Sequence, residues 1–215
     1  ANAEGHHRHK KQSGGAGQFG EVFLRIEPLP RGSGFEFVDA VKGGTIPGQF
    51  MPAVEKGVRE VLATGAIAGY PVMDVRVTVH DGKHHSVDSK EIAFVTAGRK
   101  AFLGALREAR PIVLEPIVHI EITAPDSAMG DITGDLSSRR GLVNGTTSGT
   151  ANGAPGSMVV RGLAPLSELA GYQMRLNALT SGQGRYTVEL SHYEAVPPNV
   201  QQQMASKFQL HDEDE

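Results

Sequence analysis

Gly14-Gly15-Ala16-Gly17-Gln18-Phe19-Gly20 runs straight into Glu21-Val22-Phe23-Leu24-Arg25-Ile26, a glycine loop followed by an alternating strand. Gly15, Gly17 and Gly20 match the G-x-G-x-x-G spacing of a dinucleotide-binding turn. That turn works only after a strand and at the mouth of a helix, whose amides receive the pyrophosphate. Here the order is reversed: the basic, His-rich stretch 6–11 comes before the glycines, and Val22, Leu24 and Ile26 come after them. The glycines therefore make a loop in front of a strand, beside positive charge. That arrangement suits contact with a polyanion and excludes a buried nucleotide.

Outward from this loop, the pattern predicts a first unit of order β-β-α-β-α. Residues 22–26 and 35–41 read as a strand pair joined across Pro28, Pro30 and Gly32. A Gly-Pro turn at 43–47 leads to a helix over 51–63, where Val54, Val58, Val61 and Leu62 recur at helical spacing while Glu55, Lys56, Arg59 and Glu60 face out. Met73, Val75, Val77 and Val79 alternate with polar residues, as in a half-buried strand. A second helix is expected from Ser89, capped by Asp88 with Glu91 reaching back, lined inside by Phe94, Ala97, Ala101, Phe102, Ala105 and Leu106 and stopped by Pro111.

The second unit opens on Val118, Ile120 and Ile122 alternating with polar residues. A short helix carries Met129, Ile132 and Leu136, and two strands at 142–146 and 158–163 flank a polar loop at 147–156. A helix with Leu169, Tyr172, Leu176 and Leu179 on one side precedes a last strand with Tyr186, Val188 and Leu190. The order β-α-β-β-α-β is the ferredoxin-like split motif, so the fold class is α+β with two domains. That fold hosts many functions and fixes no chemistry. A further short helix is expected after Pro197-Pro198, around Val200 and Met204.

The 215-residue chain is 39% hydrophobic and 21% charged, enough for one large domain or two small ones with cores of their own. The absence of Cys excludes disulfides, thiolate zinc sites and cysteine nucleophiles, and fits a reducing compartment. No apolar run approaches the ~20 residues of a membrane span, and no signal-peptide pattern opens the sequence. Ala1-Asn2-Ala3 reads as the artificial start of a fragment. The net charge of −3 hides an asymmetry: residues 1–114 carry 15 Lys and Arg against 12 Asp and Glu, while 115–215 carry 6 against 12. Six of the nine histidines lie in the first part, and the acidic end 212–215 reads as a solvated tail.

Several clusters admit a chemical and a plainer reading. His80, His84 and His85, around the turn Asp81-Gly82-Lys83 and near Asp88, could hold a zinc or manganese ion whose water attacks an ester. No H-E-x-x-H pattern supports this, and Lys83 would oppose a cation, so an exposed loop tip touching phosphate is preferred. His6, His7 and His9 with Arg8, Lys10 and Lys11 read first as a solvated, flexible segment and second as a phosphate contact. Residues 42–48 lack a phosphate-loop pattern and read as a structural turn. Asp131 and Asp135 read as helix-terminus and turn residues, while Arg139-Arg140 either favour a helix C-terminus or meet a partner.

The segment His9-Lys10-Lys11-Gln12-Ser13-Gly14-Gly15-Ala16-Gly17-Gln18-Phe19-Gly20 resembles the start of domain IV of bacterial translation elongation factor G. The likeness continues through Gly43-Gly44-Thr45-Ile46-Pro47-Gly48-Gln49-Phe50, Pro52-Ala53-Val54-Glu55-Lys56-Gly57, Gly69-Tyr70-Pro71-Val72 and Val87-Asp88-Ser89-Lys90-Glu91. It extends to Gly134-Asp135-Leu136-Ser137-Ser138-Arg139-Arg140-Gly141 and to Pro165-Leu166-Ser167-Glu168 with Gly171-Tyr172, covering nearly the whole chain. The resemblance implies domain IV at residues 8–114, with 198–211 packing back on it, and a ferredoxin-like domain V at 115–197.

By the same resemblance, this is the C-terminal part of a translational GTPase, without catalytic residues, cofactor or metal of its own. GTP and Mg belong to a GTPase half outside this fragment. The implied partners are the ribosome, tRNA and mRNA, with no membrane, and the implied state is a cytoplasmic monomer. In the family, the domain IV tip enters the decoding region of the small subunit and keeps tRNA and mRNA from slipping back. Domain V leans on large-subunit ribosomal RNA. The implied contact residues are Ser13, Gly14, Gly15, Gly17, Gln18, Lys83, His84, His85 and Asp88. His85 aligns with the tip histidine that eukaryotic relatives modify to diphthamide. Two departures, the basic Lys83-His84-His85-Ser86 tip and the long, weakly charged 147–156 loop, resemble a paralogue acting in translocation, recycling or ribosome protection.

Overall fold

The computed structural model describes residues 1–12, 15, 17–148 and 156–208. By its internal contacts the chain divides into two units, Ala1–Val113 with Pro197–Glu215, and Leu114–Val196. Each is a four-stranded sheet with helices, so the α+β class with two domains is what the protein adopts.

Unit 1 contains β1 (Ala3–Lys11), β2 (Gln18–Pro28), β3 (Phe35–Asp39), α1 (Met51–Thr64), β4 (Val75–Lys83) and α2 (Glu91–Glu108). Its sheet order is β1-β2-β4-β3. Val22, Leu24 and Ile26 of β2 and Val75, Val77 and Val79 of β4 bury their side chains against Val54, Val58 and Val61 of α1 and Phe94, Ala101 and Phe102 of α2. Each such burial contributes about 1.5–3 kcal/mol for the larger side chains. Pro52 sits in the first turn of α1, where its missing N–H costs no helix bond. Gly57 meets the Val95 carbonyl and Gly98 the backbone of Val54, so the two helices touch at glycine on both sides.

Two expectations need correction here. β2 and β3 are not a strand pair: β4 lies between them, antiparallel to β2 and parallel to β3. A parallel pair needs a long crossover, and α1 supplies it. The stretch 6–11 is not a solvated segment but part of β1, paired with β2 from Ala3↔Ile26 to Lys11↔Gln18. Ala3 likewise belongs to that strand. Only Gly5 of β1 is fully buried, because the backbone of α2 at Ala101 occupies the space a side chain would need. A strand without inward aliphatic residues leaves no hydrophobic alternation to read.

Unit 2 contains β5 (Leu114–Pro125), α3 (Met129–Ser138), β6 (Leu142–Ser148), β7 (Ser157–Pro165), α4 (Tyr172–Thr180) and β8 (Arg185–Ala195). Its strands are antiparallel in the order β6-β7-β5-β8, the split βαββαβ arrangement. Val118, Ile120 and Ile122 of β5 pack with Ile132, Leu136, Met158, Val160, Tyr172 and Leu176. Within the loop 147–156, residues 149–155 lie outside the described residues, as does the acidic end 212–215.

Asp135 is neither a helix terminus nor a turn residue. It sits inside α3 with its carboxylate 9% exposed, accepting from Arg139 Nε at 2.8 Å and Arg175 Nε at 2.9 Å. Burial would raise its pKa, but the two guanidinium hydrogen bonds outweigh it and leave the carboxyl below its ordinary range. Arg140 donates to both oxygens of Glu115, at 2.6 and 2.9 Å, and to Glu168 at 2.9 Å. The Arg139-Arg140 pair is therefore committed to internal bonds. Burial pushes the Tyr172 hydroxyl up to about 12, and Arg139 lies over its ring at 5.1 Å.

Finally, α5 (Pro198–Lys207) belongs to unit 1, where Gln201 accepts from the Val113 amide at 2.9 Å and donates to the Pro111 carbonyl at 3.1 Å. Phe208 lies against Gly69.

Candidate nucleic-acid interface

Two chain reversals meet at one end of the unit 1 sheet: the β1–β2 connection, residues 12–17, and the β4–α2 connection, residues 84–90. Ser13 and Gly14 lie outside the described residues; Gly15 is exposed, and Gly17 and Gln18 are partly buried. The two segments are joined by backbone. Phe19 donates to the Asp88 carbonyl at 2.9 Å, and Phe19 and Ser89 form an isolated parallel bridge.

Ser89 completes the junction. Its hydroxyl donates to the Phe19 carbonyl at 3.1 Å and accepts from the His85 amide at 2.8 Å. The expected capping box is therefore absent: α2 starts at Glu91 with Lys90 before it and no side-chain cap. The Asp88 carboxylate lies elsewhere, against Gly17. Sequence reading missed Ser89 and Phe19 as junction residues, since Ser89 read as the start of the helix and Phe19 lies 70 residues from it in the chain.

His85 is half-exposed, and its Nδ1 accepts from the amides of Val87 at 3.3 Å and Asp88 at 3.2 Å. An imidazole nitrogen that accepts carries no proton, so with Nδ1 accepting the ring's donor is Nε2, away from these bonds. Nε2–H is then a donor for an outside acceptor. His84 differs: its Nδ1 donates to the Thr45 carbonyl at 3.1 Å, tying the tip to the turn before α1. Lys83, at the end of β4, is exposed with no ion-pair partner among the described residues, and Val87 is 77% exposed. Gln18 accepts from His9 Nε2 at 3.0 Å.

Asp81-Gly82-Lys83 is not a turn but the last part of β4, paired with residues 21–23 of β2. This spreads the three imidazoles apart. His80 bonds Glu4 of β1 at 3.1 Å, His84 bonds Thr45, and His85 faces Asp88. Among the described residues no group of three or more His, Cys, Asp or Glu side chains could hold a metal ion. The hydrolase alternative loses its ligand set. No helix among the described residues is long and apolar enough to cross a membrane.

Comparison with known proteins finds family models and relatives that match the chain. The family model "Elongation factor G, domain IV" matches residues 1–110, and "Elongation factor G C-terminus" matches residues 112–204. An elongation factor G-like protein of Thermotoga maritima is 45% identical over 198 residues, which is 92% of this chain and 28% of that protein. A Thermus thermophilus protein of known crystal structure superposes with a TM-score of 0.76 at 39% identity, covering 96% of this chain and 30% of that one. The chain thus spans less than a third of the length of these relatives.

Proposed function

Because the chain belongs to the elongation factor G family, we propose that it is the ribosome-contacting part of a translational GTPase, with the unit 1 tip working against tRNA and mRNA in the decoding region. Ser13, Gly14, Gly15, Gly17, Gln18, Lys83, His84 and His85 are the contacting residues in this reading, and Asp88 supports the two loops. Glycine lets backbone approach closely, while the imidazole donor and Lys83 meet phosphate or a base edge. Unit 2 leans on large-subunit ribosomal RNA. This part makes and breaks no bond; GTP and Mg serve the GTPase half of a cytoplasmic, monomeric parent. The observation that carries the reading is the joined tip, where Ser89 clamps both loops while His85 keeps a free Nε2–H.

Single-round mRNA movement on purified pre-translocation ribosomes tests this with the full-length parent. His85→Ala should slow movement while leaving ribosome-stimulated GTP hydrolysis nearly unchanged. Equal movement rates for variant and parent would overturn the assignment. Recycling is the second reading, favoured by the basic Lys83-His84-His85-Ser86 tip; GTP hydrolysis without mRNA movement in the unmodified parent would select it.

A further inference from the structure

The helices of unit 1 cover one face of its sheet, and the opposite face carries a different chemistry. On it, Lys10 of β1 is paired with Phe19 of β2, Arg8 with Glu21, His6 with Phe23 and Glu4 with Arg25, and Glu21 and Phe23 are paired in turn with Lys83 and Asp81 of β4. His6 stacks on Phe23 with ring centroids 4.0 Å apart and planes 15° from parallel. Arg8 lies over the Phe19 ring at 5.3 Å. Glu21 fixes the His6 ring through a 2.8 Å bond, and its own second oxygen is buried without a partner.

Four cations, Arg8, Lys10, Arg25 and Lys83, stand on this face without an ion-pair partner within 4 Å among the described residues, against the three carboxylates Glu4, Glu21 and Asp81. Glu4 bonds His80, Glu21 bonds His6 and Asp81 accepts from the Gly82 amide, so each carboxylate is held in place within the sheet. The stacking groups His6 and Arg8 are two residues apart on one strand, so they stand about 7 Å from each other along it. Flat π-surfaces at that spacing, bordered by free cations, are what an unpaired RNA strand needs: stacking for successive bases and charge for its phosphates.

We infer that the open face of β1, β2 and β4 is a platform for unpaired RNA, with bases stacking on His6 and on the Arg8–Phe19 pair and phosphates held by Lys10, Arg25 and Lys83. The platform rests on the reading of unit 1 as an RNA-contacting module, and extends it from the loop tip to a sheet face. Glu21 is a positioning residue that keeps the His6 ring flat.

The test is fluorescence anisotropy of this chain with a labelled ten-nucleotide single-stranded RNA across a potassium chloride series. His6→Ala should weaken binding about tenfold without altering the slope of log affinity against log salt. Arg8→Ala, which removes the cation stacked on Phe19, should weaken binding to a similar degree. Both positions are largely exposed, and unchanged melting temperatures would confirm intact folding. Absence of binding overturns the platform. Binding unaffected by His6→Ala and Arg8→Ala but reduced by His85→Ala also overturns it and leaves the tip reading standing. The reverse failure, platform binding intact with no effect of His85→Ala on ribosomes, removes the tip reading alone.

Discussion

Gly17 lies so close to Asp88 that a methyl group on its Cα would fall 2.8 Å from both the carboxylate carbon and Oδ1. The contact ties the β1–β2 connection to the side chain beside His85. Gly17 is not in the left-handed backbone region, so the demand for glycine is purely steric.

Gly17→Ala should therefore act on geometry more than on stability. The obstacle is the free end of a side chain, which can rotate, so the folding cost should be about 1 kcal/mol, the low end for overpacking. The displaced carboxylate should disturb the His85 loop and slow mRNA movement by the parent. Adding Asp88→Ala removes the obstacle, so the double variant should move mRNA faster than Gly17→Ala alone. Strictly additive effects would disprove the coupling.

Gly57→Ala should do the opposite, damaging the fold. Alanine is a better helix former by about 1 kcal/mol, but here its methyl would meet the Val95 carbonyl and the Arg99 amide nitrogen of α2. Backbone cannot rotate aside, and overpacking of about 1–3 kcal/mol or more should win. A lower urea midpoint for unit 1 is the expected result; a raised midpoint would show that the helices separate freely.

Arg140→Ala leaves Glu115, whose side chain is 8% exposed, with only a 3.3 Å bond from Ser167. Breaking one side of a buried pair costs roughly 3–5 kcal/mol, and partial exposure of Arg140 puts this case at about 3. Arg140→Lys cannot supply the two-pronged bond and should recover less than half. Denaturant unfolding of the chain with a probe in unit 2 reads both.

Acid should weaken unit 2 through Asp135. Its folded pKa lies below the ordinary 3.8, against the pull of burial, because Arg139 and Arg175 bond the charged form. A depressed carboxyl contributes stability above its unfolded pKa and loses it as pH falls through the folded value. The unfolding free energy of unit 2 should thus decline from about pH 4 downward. Asp135→Asn should flatten that decline; an unchanged slope would place the acid sensitivity elsewhere.

Where aliphatic residues alternate or recur every three to four positions, as in β2, β4, β5, α1 and α2, the elements were legible, because burial imposes that spacing. β1 was not, since Gly5 replaces an inward aliphatic where α2 comes close. A glycine loop and a basic loop tip were readable from the residues themselves, while the individual contact residues were named through resemblance. The Ser89–Phe19 bond and the partners of His80 and His84 required the fold, because each bond joins residues far apart in the chain.

By itself the sequence determined the two α+β units and the family, since periodicity, turn residues and ordered motifs are local properties of the chain. Tertiary structure alone decided that β4 separates β2 from β3, that the basic stretch is a strand with a face, and that Arg139 and Arg140 point inward. Those outcomes depend on which distant backbone and charge partners arrive at the same place, and local spacing carries no record of them.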